Sequence, residues 1–331
     1  MLTRRRFLVL LVVVIAVAAA AVGVLWLLPS NYYIVLPDKA RAVDPLVSVP
    51  GESRVVDTAG IYMVDVRVGR ASLFERLFPG VYEGSSLLPE RVLNPAGVPD
   101  RERRESSLQD MDRSQEIATT VALRALGEEV AVTPVGAQVV LVLPDAPADG
   151  QLRVGDLIVR AQGEQVRTSG ELIEAMADVE PGDPVNLRVR REGSVRNVTL
   201  RTQAAQDDPG RAVVGIQVQD AADFRFPVDI EIDSGSIGGP SAGLAFALEI
   251  VDELGDDIDR GRTIVATGEL NLEGEVAAIG GVPQKTLAAR RAGADVFLVP
   301  DGNAAEARRH ADGLTIVPVT DFDEALSALA R

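Results

Sequence analysis

The chain has 331 residues, 47% of them hydrophobic, with 33 basic and 49 acidic side chains, a formal net charge of −16 and no cysteine. So acidic a chain argues against a nucleic-acid partner, because phosphates are held by basic surface. The missing thiols exclude disulfides, thiolate metal sites and a cysteine nucleophile, and they fit life outside the cytoplasm.

Arg4, Arg5 and Arg6 precede an uncharged run from Phe7 to Leu28. As a helix this run spans roughly 33 Å, enough for a hydrocarbon core of about 30 Å. Signal-peptide apolar regions are shorter, about 7–15 residues, and here the run continues past the small residues Ala18 to Ala21. We read residues 7–28 as an uncleaved transmembrane signal anchor. The arginines keep residues 1–6 cytoplasmic and place all later residues outside, in a single-pass protein of the cell membrane. Trp26, Tyr32 and Tyr33 suit the outer interface.

Residues 29–128 read as a membrane-proximal β-rich segment plus a helix. Tyr62, Val64, Val66 and Val68 alternate as in a strand. Pro95 to Glu105 reads as a polar loop, and Leu108 to Leu126 as an amphipathic helix. Nothing in this region carries chemistry, so its expected work is positioning.

Residues 129–203 resemble a PDZ domain. The residues that carry this are Leu152 to Ile158 (LRVGDLI), Gly163, the helix near Glu171 to Ala177 and the strand Val185 to Arg190. The resemblance implies a compact β-sandwich whose open sheet edge accepts an extended peptide. The carboxylate-binding loop should precede the strand Gln138 to Leu143, where TPVGA matches poorly, so a spacer role stands as the alternative. A polar linker, 204–212, follows.

Residues 213–331 read as an α/β (α+β) domain. Strands are expected near Val213–Val218, Val228–Ile232, Thr263–Thr267, Val276–Ala278, Val296–Val299 and Leu314–Pro318. Helices are expected near Ser241–Leu254, Gln284–Ala292, Ala304–His310 and Phe322–Leu329. At its start, DSGSIGGPSAGLAFAL (Asp233 to Leu248) is a glycine loop that stops at an apolar helical run. Pro240 suits the first helical position, which puts Ser241 in the first turn, among free N–H groups and at the positive end of the helix dipole. That place favours an oxyanion. Lys285 opens a second helix in GGVPQKTLAARRAG (Gly280 to Gly293). Lys39 and Lys285 are the two lysines in an arginine-preferring chain. Arginine keeps its proton, whereas a desolvated lysine can lose it. Ile279, Val282, Leu287 and Ala288 are apolar neighbours that would desolvate it.

GPSAG around Ser241, ATGELNLEGEV from Ala266 to Val276, and GGVPQKTLAARRAGADVFLVP around Lys285 resemble the proteolytic domain of the Lon family of serine peptidases. The resemblance runs from about Val228 to the C-terminus. It implies a Ser–Lys dyad with Ser241 as nucleophile and Lys285 as base, polypeptide substrates, no cofactor or metal, and a homo-oligomer, with a hexamer the expectation from the family's habit of forming rings. Ile237 and Gly238 stand where the family typically carries a charged loop residue. Thr267 is a candidate to orient the amine through its hydroxyl; a plain β-branched strand residue is the equal alternative.

The sequence contains no G-x-x-x-x-G-K-[ST] motif, so no nucleotide is expected and proteolysis should be independent of ATP. Two other readings compete. GPSAG also fits the nucleophile elbow of α/β-hydrolases, with Asp295 or Asp301 and the single histidine, His310, downstream. However, eight residues separate Ile232 from Ser241, whereas an elbow follows its strand directly. The other is a membrane-tethered PDZ scaffold carrying a degenerate peptidase fold, against which both dyad residues are present.

Overall fold

The computed structural model describes residues 4–49, 59–94, 96–255 and 257–330. Residues 1–3 of the expected cytoplasmic stretch and 50–58 of the membrane-proximal segment fall outside that set. The helices are α1 (Arg4–Leu27), α2 (Leu73–Leu77), α3 (Glu90–Leu93), α4 (Asp100–Ala125), α5 (Ser169–Ala175), α6 (Gly243–Leu254), α7 (Val282–Arg291), α8 (Asp301–His310) and α9 (Phe322–Leu329). Phe7–Leu27 of α1 has a mean hydropathy of 3.2 with none of its span buried, and it is long and apolar enough to cross a membrane.

The catalytic-type sheet has the strand order 41–42, 60–63, 263–266, 296–300, 315–319. Its last four strands run parallel. Both faces are covered, so successive residues of one strand enter opposite cores. Ile264 and Ala266 join Phe246, Leu248, Met111 and Ile117 on the α4–α6 side. Val265 joins Phe297, Val282 and Ala289 on the α7–α8 side.

This arrangement corrects the reading of residues 29–128 as a segment apart. Strand 60–63 pairs with 263–266, strand 47–48 pairs with 231–232, and α4 packs on α6. The run Tyr62 to Val68 is also not one alternating strand. It divides after Met63, and 66–72 joins a separate antiparallel sheet with 29–37 and 86–89. The polar stretch before Glu105 is helical from Asp100, because Pro99 opens the helix and Asp100 and Glu102 sit favourably in its first turn.

The PDZ-like module lies between strand 60–63 and α6 in the chain. Its sheet has the order 194–201, 184–191, 157–161, 131–142, 216–225. The last of these strands is the one expected near Val213 at the start of the peptidase domain. It instead pairs along 131–142, from Ile216 with Val142 to Arg225 with Ala131. The edge of the strand containing Gln138 is therefore taken, and the sheet's edge on that side is 216–225. The tip of α5 is fastened to that strand by Ser169, whose backbone N–H donates to Asp220 Oδ1 at 2.7 Å.

One acid is buried in the α4–α6 core. Glu249 of α6 is 3% exposed. Burial first, then Asp252, Glu253, Asp44 and Asp259, push its carboxyl up to about 9. The unfolded chain releases this proton near pH 4 to 5, as an ordinary glutamate does. Stability from the protonated acid is therefore complete below that range and is lost as pH rises towards 9. Glu249→Gln is expected to raise stability at pH 8 by an amount on the order of a few kcal/mol. Melting temperatures at pH 4 should not change, and an equal gain at both pH values would contradict a shifted carboxyl.

Candidate active site

The nucleophile loop is shaped by α4. Gly239, with φ 92° and ψ 151°, leads into a 3-10 turn, Pro240–Ala242, that runs into α6. Its N–H donates to Ser107 O at 2.7 Å, and Ser114 Oγ donates to Pro240 O at 2.9 Å. Arg104 donates to Ser236 O at 2.7 Å, and Gln115 to Ser234 Oγ at 2.8 Å. A Cβ on Gly238 would lie 2.5 Å from Ser107 Oγ, so glycine alone permits this approach. The positioning work expected of the region before the PDZ module is thus done by one face of α4. No spacing in the sequence pointed to Ser107 or Ser114, because their partners lie more than 100 residues away.

Lys285 reaches the same loop from the opposite layer. Gly281, with φ 71°, starts α7, and Lys285 occupies its first turn. The side chain is 3% exposed. Its Nζ donates to Ser241 Oγ at 2.7 Å and to Thr267 Oγ1 at 3.1 Å. Thr267 Oγ1 in turn donates to Ser241 O at 3.1 Å, and the N–H of Gly268 donates to the same oxygen at 2.9 Å. The structure therefore brings together all three residues singled out in the sequence. Burial pushes the lysine amine down to about 8, against the opposing pull of Asp65. Val282 and Ala288 belong to the apolar cluster on this face and Ile279 packs at its margin, whereas Leu287 lies against Gly84.

Asp65 escaped the sequence reading. It follows strand 60–63, and its Oδ1 is buried without a hydrogen-bond partner among the described residues. Burial and Asp38 raise its pKa, while Arg41 and Lys285 lower it. A neutral Asp65 leaves the lysine free to deprotonate; an ionised one holds the lysine charged.

Thr267 offers a test of orientation. Thr267→Val keeps the shape but removes the acceptor for Nζ and the donor to Ser241 O, a loss worth about 10- to 100-fold in kcat. Thr267→Ser should restore most of that rate in the same peptide-cleavage assay. Equal activity of the valine variant would leave Thr267 as strand filling.

The triad alternative finds no support in placement. His310 ends α8 in an exposed position, and its backbone carbonyl accepts from Arg290. Asp295 Oδ2 accepts from the backbone of Thr263. The Gly239 N–H is spent on Ser107 O and is not free to meet an oxyanion.

Residues 210–330 match the Lon protease (S16) C-terminal proteolytic domain, and residues 111–202 match the PDZ domain family. The chain is 37% identical over 118 residues to a Lon protease of Rickettsia bellii, covering 34% of this chain and 15% of that protein. It is 33% identical over 164 residues to Lon protease 1 of Hydrogenovibrio crunogenus, covering 48% of this chain and 20% of that protein. The chain thus spans a fifth or less of the length of these relatives. Among solved structures, the PDZ domain of an SdrC-like protein from Listeria monocytogenes aligns at 27% identity, covering 27% of this chain and 92% of that domain, with a TM-score of 0.25. By these family matches, residues 210–330 carry a Lon-type serine peptidase domain, preceded by a PDZ domain over residues 111–202.

Proposed function

We propose that the chain is a membrane-anchored serine endopeptidase that cleaves extracytoplasmic or membrane-associated polypeptides without ATP. The observation that carries the reading is the 2.7 Å hydrogen bond between a buried lysine amine and Ser241 Oγ. A serine hydroxyl attacks poorly until a base takes its proton. Neutral Lys285 accepts that proton as Oγ bonds to the scissile carbonyl carbon. The resulting oxyanion lies beside the turn that carries Ser241, where that turn's N–H groups and the dipole of α6 stabilise negative charge. Lys285 then gives the proton to the leaving amine, the C–N bond breaks, and an acyl-enzyme remains. Water, deprotonated by the same amine, releases the acid and restores the serine.

The PDZ module presents substrate in this reading. An extended peptide adds to the outer edge of strand 216–225, which leads directly into the peptidase fold. The anchoring reading rests on the apolar span of α1 and the three arginines at its start. ATP independence rests on the lack of a nucleotide-binding loop in these residues; stimulation of casein cleavage by ATP would contradict it.

A serine-reactive covalent probe applied to the full chain in detergent tests the mechanism. Labelling should fall on Ser241, vanish in Ser241→Ala and drop sharply in Lys285→Ala. His310→Ala should retain full casein cleavage. Loss of activity in His310→Ala with survival in Lys285→Ala would favour the hydrolase triad instead. Unchanged cleavage in both dyad variants would favour a scaffold.

A further inference from the structure

We infer that residues 74–82 form a second membrane contact, a wedge that enters the same bilayer as α1 and holds the catalytic layer down on its surface. The inference rests on the anchoring reading of α1 and adds a site to it.

The wedge begins at α2. From Leu77 to Tyr82 the sequence is LFPGVY, with no charge between Arg76 and Glu83. Leu77 is 60% exposed, Phe78 52%, Val81 42% and Tyr82 39%. Four large apolar side chains in one turn, all open, mark an interaction surface rather than scattered exposure. Its neighbour in the structure is the end of α1. Trp26 stacks on Phe74 with ring centroids 4.9 Å apart and meets Tyr82 edge-on at 6.5 Å. Phe74 in turn lies 4.8 Å from Phe78. The aromatic cluster is therefore continuous with a helix of which no residue in the apolar span is buried. Aromatic rings at the end of a span are the usual furniture of the membrane interface.

Backbone polarity is also dealt with before contact. The N–H of Phe78 donates to Phe74 O at 2.9 Å and that of Val81 to Phe78 O at 3.1 Å. Ser85 Oγ donates to Pro79 O and Tyr82 O, each at 2.9 Å. A turn closed on itself in this way presents side chains rather than unpaired backbone to an apolar medium. At the base of the wedge, Arg76 donates to Asn31 at 2.9 Å, which keeps its charge at the watery side.

The far end of the wedge is fixed to the helix that bears Lys285. Gln284 Nε2 donates to Gly84 O at 2.8 Å and to Ser86 Oγ at 3.1 Å, and Arg291 pairs with Glu83 at 2.6 Å. A Cβ at Gly84 would run into Leu287. Lipid seated on Phe78 thus fixes the orientation of α7 relative to the bilayer, and substrates near the membrane surface are the ones within reach.

The chain has no cysteine, so single-cysteine variants carry a nitroxide at one place only. The full chain in nanodiscs of dioleoylphosphatidylcholine is labelled at Phe78→Cys, at Leu77→Cys as a second wedge position, at Val13→Cys within α1 and at Val195→Cys on the PDZ sheet. Power saturation with oxygen and a nickel chelate reads depth. The expected result is that positions 77 and 78 favour oxygen as position 13 does, while position 195 favours the nickel chelate. Oxygen preference at 13 with aqueous behaviour at 77 and 78 overturns the wedge and leaves the anchor. Aqueous behaviour at 13 overturns the anchor, and the wedge falls with it. Strong dipolar broadening at 78 between labelled chains would assign the surface to a second copy and also overturn the inference.

Discussion

Lys285→Arg is expected to abolish peptide cleavage as completely as Ser241→Ala, a loss of at least about 1,000-fold in kcat. The arginine keeps the positive charge and much of the length, so a lysine serving as a mere ion-pair partner would tolerate it. A base does not, because guanidinium cannot give up its proton in a protein. The site compounds the fault, since it is built to be dry and an obligatory charge there is costly to bury. Lys285→Met serves as the companion variant, filling the same space without charge. It should be equally inactive and yet fold at least as well as the parent. The double variant Ser241→Ala/Lys285→Met should be no worse than either single change, because the two residues act as a unit. The measurement is initial rate on a fluorogenic peptide with the full chain in detergent. An arginine variant that keeps a tenth of the parent activity would remove proton abstraction from the mechanism.

Activity should rise with pH and level off above about 8, the value to which burial lowers the Lys285 amine. Only the neutral amine acts, so at pH 6 roughly one chain in a hundred is competent and at pH 7 roughly one in ten. The same shift has a stability consequence with a definite sign. In the unfolded chain the lysine binds its proton up to its ordinary range near 10.4, whereas the folded chain releases it near 8. The unfolded state binds more protons between those values, so stability rises with pH across that window. Below pH 8 the fold carries the full cost of charging the buried amine, about 3 kcal/mol. Lys285→Met should recover an amount of that order at pH 7 and almost none at pH 10.5. A flat kcat profile from pH 6 to 9, together with a pH-independent stability gain, would show that the amine is not shifted.

The closeness of Ser241 and Lys285 was legible because each segment announces itself locally. Gly-Gly-Pro before Ser241 dictates a loop closing into a helix, and a single lysine among alanines and arginines asks for a reason. Thr267 was legible for the same cause, sitting one residue beyond a short apolar strand. What could not be read was anything fixed by long-range pairing. Gly60 to Met63 alternates like a half-exposed strand, yet it is covered on both faces because strand 263–266 and two helical layers meet there. Asp65 gains its place beside the lysine through that same pairing. Strand 216–225 reads as the opening of the peptidase domain, and local pattern gives no hint that it completes the PDZ sheet. Even the start of α4 was hidden, since DRERRESS is polar throughout and its packed face begins only at Met111.

The strand at Gly60–Met63 also sets a timetable. Its parallel partner begins at Thr263, about 200 residues later, so at roughly 5–20 residues per second the ribosome needs some 10–40 s to supply it. During that wait Ile61 and Met63 have only the two-residue strand 41–42 to pair with, while the PDZ module that follows can already close. A chain in that state offers an open, sticky edge to whatever is nearby. Slow synthesis or early cleavage within the module should therefore damage yield far more than the small size of that strand suggests.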